Sequence, residues 1–280
     1  MPVSTSFEIT ITMSDDTTNR LVDEGFYLYG FKAVNSSTGG GKPLVWFVTD
    51  DYATSTNITW HDEYQAYTSR REIIPQGTIS GINSYDIALG QTLTVDNISG
   101  TGTVGGSPGS SRRITVDNET TRPFTSGIAQ LNHVAAGQSA KATPLAAFPL
   151  HGRNLDFFTP VEKVLLMFAT AVIETSTVVE QAFGPGLLVD LTGVAQRDVT
   201  YDVDHGWGPD HAQLDDARRL PDPAHAPADP AGQVAADPRV IRYITIGAPG
   251  RAHPTRSVAW RRARAAVRLR QQWKGTIPCP

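Results

Sequence analysis

The stretch FEITITM, residues 7–13, puts Phe7, Ile9, Ile11 and Met13 on one face and Glu8, Thr10 and Thr12 on the other. A period of two marks a half-buried β-strand, because successive side chains of an extended chain point to opposite sides. Eight further stretches read as strands: FYLYGFKAV (26–34), PLVWFVT (43–49), TISGI (78–82), YDIALGQTLTV (85–95), RRITV (112–116), PLAAFPL (144–150), LLVDLT (187–192) and DVTYDV (198–203). Turn-forming clusters lie between them, among them STGGGKP (37–43), IPQG (74–77), GGSPGSS (105–111) and FGPG (183–186). Many short strands without alternating helices predict an all-β body, an antiparallel β-sandwich or barrel-like fold with at most one or two short helices.

One segment supports two readings. In TPVEKVLLMFATAVIETS (159–176), Thr159, Pro160 and Glu162 fit a helix start as N-cap, first-turn proline and capping-box glutamate. The run from Val164 to Phe168 fits a buried central strand equally well, and its strand neighbours favour a short turn over 159–163 feeding a strand.

Composition changes abruptly near Trp207. The 280-residue chain has a formal net charge of −4, which averages −10 over residues 1–207 and +6 over residues 208–280. Ser and Thr number 43 in the first part and 4 in the second, where Ala, Arg and Pro make up nearly half of the residues. This divides the chain into a β-sandwich body (1–207), a disordered Pro/Ala-rich linker (208–240) and a basic tail (241–280) with a helix expected over 257–273, N-capped by Ser257. The six acidic residues and ten prolines of the tail argue against a nucleic-acid arm and favour a passenger segment.

The only cysteine is Cys279, so an intrachain disulfide is excluded. No secretory signal is visible at the start, and the longest apolar run (164–173) is too short for a membrane span, which points to a soluble, cytoplasmic protein, with non-classical secretion as the other route. The four sequons, at Asn35, Asn57, Asn97 and Asn118, are then incidental.

Several catalytic patterns fail on inspection. GGSPG around Ser107 has the spacing of a nucleophile elbow, but Pro108 lacks the N–H that such a site donates, so a hairpin loop is expected. NSSTGGGKP (35–43) lacks the first glycine of a phosphate loop, and Pro43 stands where a hydroxyl residue must follow Lys42. Asp202, Asp204 and Asp210 in YDVDHGWGPD do not keep the spacing of a calcium loop, and the histidines show no metal-ligand spacing, so no metal or cofactor is expected.

The strongest binding candidate is NITWHDEYQAYTSRRE (57–72). On a helix N-capped by Thr59, Trp60, Tyr64 and Tyr67 would share one face, with Trp46, Asp50, Asp51 and Tyr52 close in sequence. Such rings stack on sugars or quaternary ammonium groups, whereas aromatic stripes more commonly pack a core. The reading that follows is a non-enzymatic, lectin-like binding module for a carbohydrate or lipid headgroup. A self-associating structural or interaction protein (a homo-oligomer) is the alternative, and a hydrolase is the minor one.

Overall fold

The computed structural model describes residues 5–134, 137–138, 141–208 and 242–243. These all fall within the compact unit Met1–Ile246. Among the described residues the fold is three β-sheets and one helix.

The first sheet runs in the order β13 (Gly137–Gln138), β12 (His133–Val134), β5 (Ser55–His61), β1 (Ser6–Thr12), β18 (Gln196–Asp202) and β19 (Gly206–Gly208). The second runs β20 (Arg242–Tyr243), β17 (Gly186–Asp190), β16 (Asn154–Ala169), β10 (Ile114–Asn118), β8 (Thr92–Val95) and β9 (Gly102–Gly105), with β2 (Tyr27–Ser36) bridging β16 to β4 (Phe47–Thr49). The third runs β3 (Lys42–Pro43), β15 (Ala146–Leu150), β11 (Phe124–Gln130), β6 (Tyr64–Ser69) and β7 (Ile82–Ile87), with β14 (Thr143–Pro144) also on β11.

The all-β architecture agrees with the sequence, but the sheets are not purely antiparallel. β1 pairs parallel with β18, and β10 with β8. Ser107 therefore does not sit in a hairpin. β9 and β10 flank β8 on opposite sides, and the loop between them crosses over, pinned by the Gly109 amide on the Leu89 carbonyl.

β1 behaves as its alternation demands. Ile9 and Ile11 are fully buried and Phe7 nearly so, against β5 on one side and β18 on the other. The main core draws side chains from every sheet: Ile9, Ile58 and Val199 from the first, Leu28, Val116 and Leu166 from the second, Ala66, Ile128 and Phe148 from the third. Burying each large aliphatic or aromatic side chain contributes roughly 1.5–3 kcal/mol, which is what holds the three sheets around this shared core.

The ambiguous segment resolves as strand. β16 is continuous over 16 residues, and the turn expected over 159–163 appears as a register shift against β2 between Pro160 and Val164. Thr159 and Glu162 thus belong to a bulged strand and not to a helix cap. The helix α1 (Asp15–Asp23) lies elsewhere, and its local chemistry is complete. Ser14 accepts the Thr17 amide at 3.1 Å as N-cap, Asp15 and Asp16 sit at the positive end of the dipole, Arg20 near the negative end, and Gly25 follows at φ +70°.

Of the expected tail, Arg242–Tyr243 pairs antiparallel with Leu187 and Leu188 of β17. Of the linker expected over 208–240, Gly208 closes β19, while residues 209–240 and the helix at 257–273 lie outside the described residues.

Candidate functional site

The segment 57–72 is two strands. In β5, Thr56, Ile58 and Trp60 point inward in strict alternation. The chain then crosses from the first sheet to the third at Asp62–Glu63 and continues as β6. The expected helix is absent because the β-branched and aromatic residues find cross-strand partners on both sides: β1 and β12 for β5, β11 and β7 for β6. A period of two also separates the rings. Trp60 and Tyr64 enter the main core, whereas Tyr67 packs on the other face of β6 with Leu44, Ile79 and Ala147, its hydroxyl donating to the Ala146 carbonyl at 2.7 Å.

Trp60, Tyr67 and Trp46 are 0% exposed, Tyr64 5% and Tyr52 7%, so these rings do not form a surface platform. Tyr52 leaves the group altogether. It meets Phe168 edge-on at 5.4 Å and donates to the Phe26 carbonyl at 2.9 Å, and burial pushes its phenol up to about 12. Asp50 and Asp51 stay exposed in the loop after β4.

Three of the predicted rings do converge, and they converge on a cation belonging to the chain itself. Trp60 stacks on Phe7 at 5.6 Å and meets Trp46 edge-on at 5.5 Å. Inside this box lies the Lys32 ammonium, 4.9 Å from the Trp60 ring centre, 5.8 Å from those of Phe7 and Trp46, and 5.9 Å from that of Tyr64. The Lys32 side chain is wholly buried, with Nζ 3.0 Å from Glu162 Oε2 and 2.8 Å from Gln130 Oε1.

Each partner is fixed in turn. Gln130 donates through Nε2 to the His61 carbonyl at 2.6 Å, and its backbone carbonyl accepts from Trp46 Nε1 at 3.1 Å. Glu162 sits in the β16 bulge beside the Lys32–Val164 register pair and accepts from the Tyr64 hydroxyl at 3.3 Å. Burial pulls the Lys32 amine below the ordinary lysine range, against the attraction of Glu162 and Asp62. Burial likewise pushes the Tyr64 phenol up, helped by Glu162 and Asp62. Trp60 Nε1 is buried with no hydrogen-bond partner among the described residues.

Lys32, Gln130 and Glu162 escape a reading of the sequence. The available signal is a single lysine in the apolar run FYLYGFKAV and a single glutamate between Pro160 and the run after Val164.

The acidic turn near the body's end is occupied by its own structure. Asp202 Oδ1 accepts the Asp204 and His205 amides, both at 2.9 Å, and lies 2.7 Å from His205 Nδ1. Asp204 takes both guanidinium nitrogens of Arg20, at 2.8 and 3.0 Å, which docks α1 onto this turn. Asp210 lies outside the described residues. Among the described residues no cluster of His, Cys, Asp and Glu could hold a metal ion, and no helix is long and apolar enough to cross a membrane.

The surface carries a cleft of about 440 Å³ where the segment 76–78 meets the segment 171–183. Gln76, Thr78, Thr177 and Glu174 supply polar groups to it, and Val172 and Phe183 supply apolar rim. Thr78 and Thr177 face each other as an isolated bridge, their hydroxyls 3.3 Å apart. Phe183 is 40% exposed and Val172 79%. No protein-family model, curated protein or solved structure matches this chain.

Proposed function

We propose that the chain is a non-enzymatic β-sandwich binding module that takes a neutral carbohydrate in the cleft between residues 76–78 and 171–183. The observation that carries this reading is the cleft's size and lining. Its volume falls in the range of small-ligand sites, roughly 300–1,000 Å³. Its hydroxyl and amide groups alternate with an exposed ring, the combination that recognises a sugar's polar edge and apolar face. Charge separates the two ligand classes expected from the sequence. Among the described residues Glu174 is the one charged residue in the lining, and a carboxylate repels the phosphate of a lipid headgroup but not a neutral sugar.

A glycan array with the full chain, followed by calorimetry on the hits, tests the reading. Phe183→Ala is expected to abolish binding with little change in melting temperature, because the ring is already partly in solvent. Binding to phosphatidylcholine vesicles in place of glycans would transfer the site to a lipid headgroup. A second reading, self-association, is favoured by Val172 and Phe183 on the cleft rim and Ile74 two residues before it, three large exposed apolar side chains. Concentration-dependent sedimentation abolished by Val172→Asp, without glycan binding, would establish it instead.

A further inference from the structure

We propose that Lys32 and Gln130 become joined by an intramolecular isopeptide bond, with Glu162 carrying the protons. An amine, a carboxamide and a carboxyl group meet where the amine and carboxamide are buried and the carboxyl group partly so: Nζ is 2.8 Å from the carboxamide oxygen and 3.0 Å from the carboxylate. The carboxamide is held from its far side by the His61 carbonyl and Nζ is held by four rings, so the two reactants are kept in contact, and attack requires Nζ to move only from Oε1 to the face of Cδ.

The step balances without a cofactor. Glu162 takes one proton from the Lys32 ammonium, leaving a neutral amine, a form that burial already favours. The Nζ lone pair attacks Gln130 Cδ, and the carbonyl π electrons move onto Oε1. Glu162 delivers its proton to Nε2 and takes the second proton from Nζ. Collapse of the intermediate breaks the Cδ–Nε2 bond, restores the carbonyl and releases ammonia.

The product relieves what the unreacted box strains. A buried ammonium beside a partly buried carboxylate is costly to desolvate, whereas a secondary amide is neutral. Escape of ammonia and exclusion of water by Phe7, Trp46, Trp60 and Tyr64 hold the reaction forward. The bond would tie β2 in the second sheet to β11 in the third, across 98 residues of sequence.

Intact mass spectrometry of the folded full chain, with peptide mapping, decides the matter. The expected mass is one ammonia below that of the sequence, with a branched peptide linking Lys32 to Gln130. Lys32→Arg and Glu162→Gln are expected at full mass. A wild-type chain that is folded by circular dichroism and stays at full mass after prolonged incubation at mildly alkaline pH overturns the proposal, even if neither variant folds. A deficit that persists in Lys32→Arg, or maps elsewhere, overturns it equally. A branched peptide that still forms in Glu162→Gln removes Glu162 from the chemistry.

Discussion

Replacing Trp60 by alanine isolates the energetic weight of the aromatic box. The indole is 0% exposed, stacked on Phe7 at 5.6 Å and edge-on to Trp46 at 5.5 Å. Truncating a buried Phe or Trp to alanine costs about 3–5 kcal/mol. Two oriented ring pairs, each adding about 0.5–1.5 kcal/mol beyond area, place Trp60 toward the upper end. One term opposes this: Nε1 is a buried donor with no partner, and deleting it returns about 1–3 kcal/mol of desolvation penalty. The balance is a loss of about 3 kcal/mol. Trp60→Phe separates the terms, because it keeps a ring against Phe7 and removes the unsatisfied N–H, and its cost should stay below about 1.5 kcal/mol, as for other near-conservative core exchanges. Urea unfolding of the full chain, read at constant m-value, measures both. A Trp60→Ala chain within about 1 kcal/mol of the wild type would refute the packing argument. So would a Trp60→Phe chain as unstable as Trp60→Ala, because the loss would then follow the indole N–H and not the ring.

What the sequence could and could not reveal follows from the range of the interactions involved. The alternation of residues 7–13 is a local pattern, and β1 follows it residue by residue. The apolar run 26–34 became β2 for the same reason. Segment 57–72 misled because spacings of four and three put Trp60, Tyr64 and Tyr67 on one helical face, while a switch of sheets at residues 62–63 brings Trp60 and Tyr64 into one core just as well. β11 was missed because its Ser126, Gly127 and Ala129 have weak strand preference. Their smallness is a tertiary requirement, since a side chain at Gly127 would meet the Ala146 carbonyl and the Tyr67 ring. The parallel pairing of β1 with β18 joins opposite ends of the body, and no local pattern encodes it. The Lys32 box has the same character: its polar groups come from β2, β11 and β16, three strands distant in sequence.

Three further perturbations test other parts of the fold. Gly127→Ala is expected to cost about 1–3 kcal/mol in chemical denaturation because its methyl would collide with backbone across the β11–β15 pair, whereas Gly105→Ala, with open space around it, should be near neutral. Partial burial pushes the Asp190 carboxyl up, but hydrogen bonds from the Thr192 side chain, from Lys163 and from the Thr192 amide outweigh it and hold the group at about 2. A depressed carboxylate stabilises the fold above its ordinary value and loses that contribution as pH falls from 3.8 toward about 2, so Asp190→Asn should flatten stability in that window, and an unchanged acid limb would contradict the assignment. The last perturbation concerns Asp156, which is 0% exposed and yet answered by hydroxyls and amides alone. Its Oδ1 accepts from Ser37 Oγ at 2.6 Å and from the amides of Thr38 at 3.1 Å and Phe157 at 2.8 Å, while Oδ2 accepts only from Ser36 Oγ at 2.6 Å. The Ser36 hydroxyl has a second acceptor in the Thr38 carbonyl at 2.9 Å. Asparagine with its oxygen at Oδ1 therefore keeps three of the four bonds, and its new amide can donate to Ser36 Oγ once that hydroxyl turns to Thr38. Alanine loses all four bonds and leaves the loop after β2 untied from β16. Because each unsatisfied buried partner costs about 1–3 kcal/mol, Asp156→Ala should lose about 3 kcal/mol or more and Asp156→Asn less than about 1.5. If asparagine proves as damaging as alanine, the negative charge itself is what the site requires, and the hydrogen-bond account of this buried carboxylate fails.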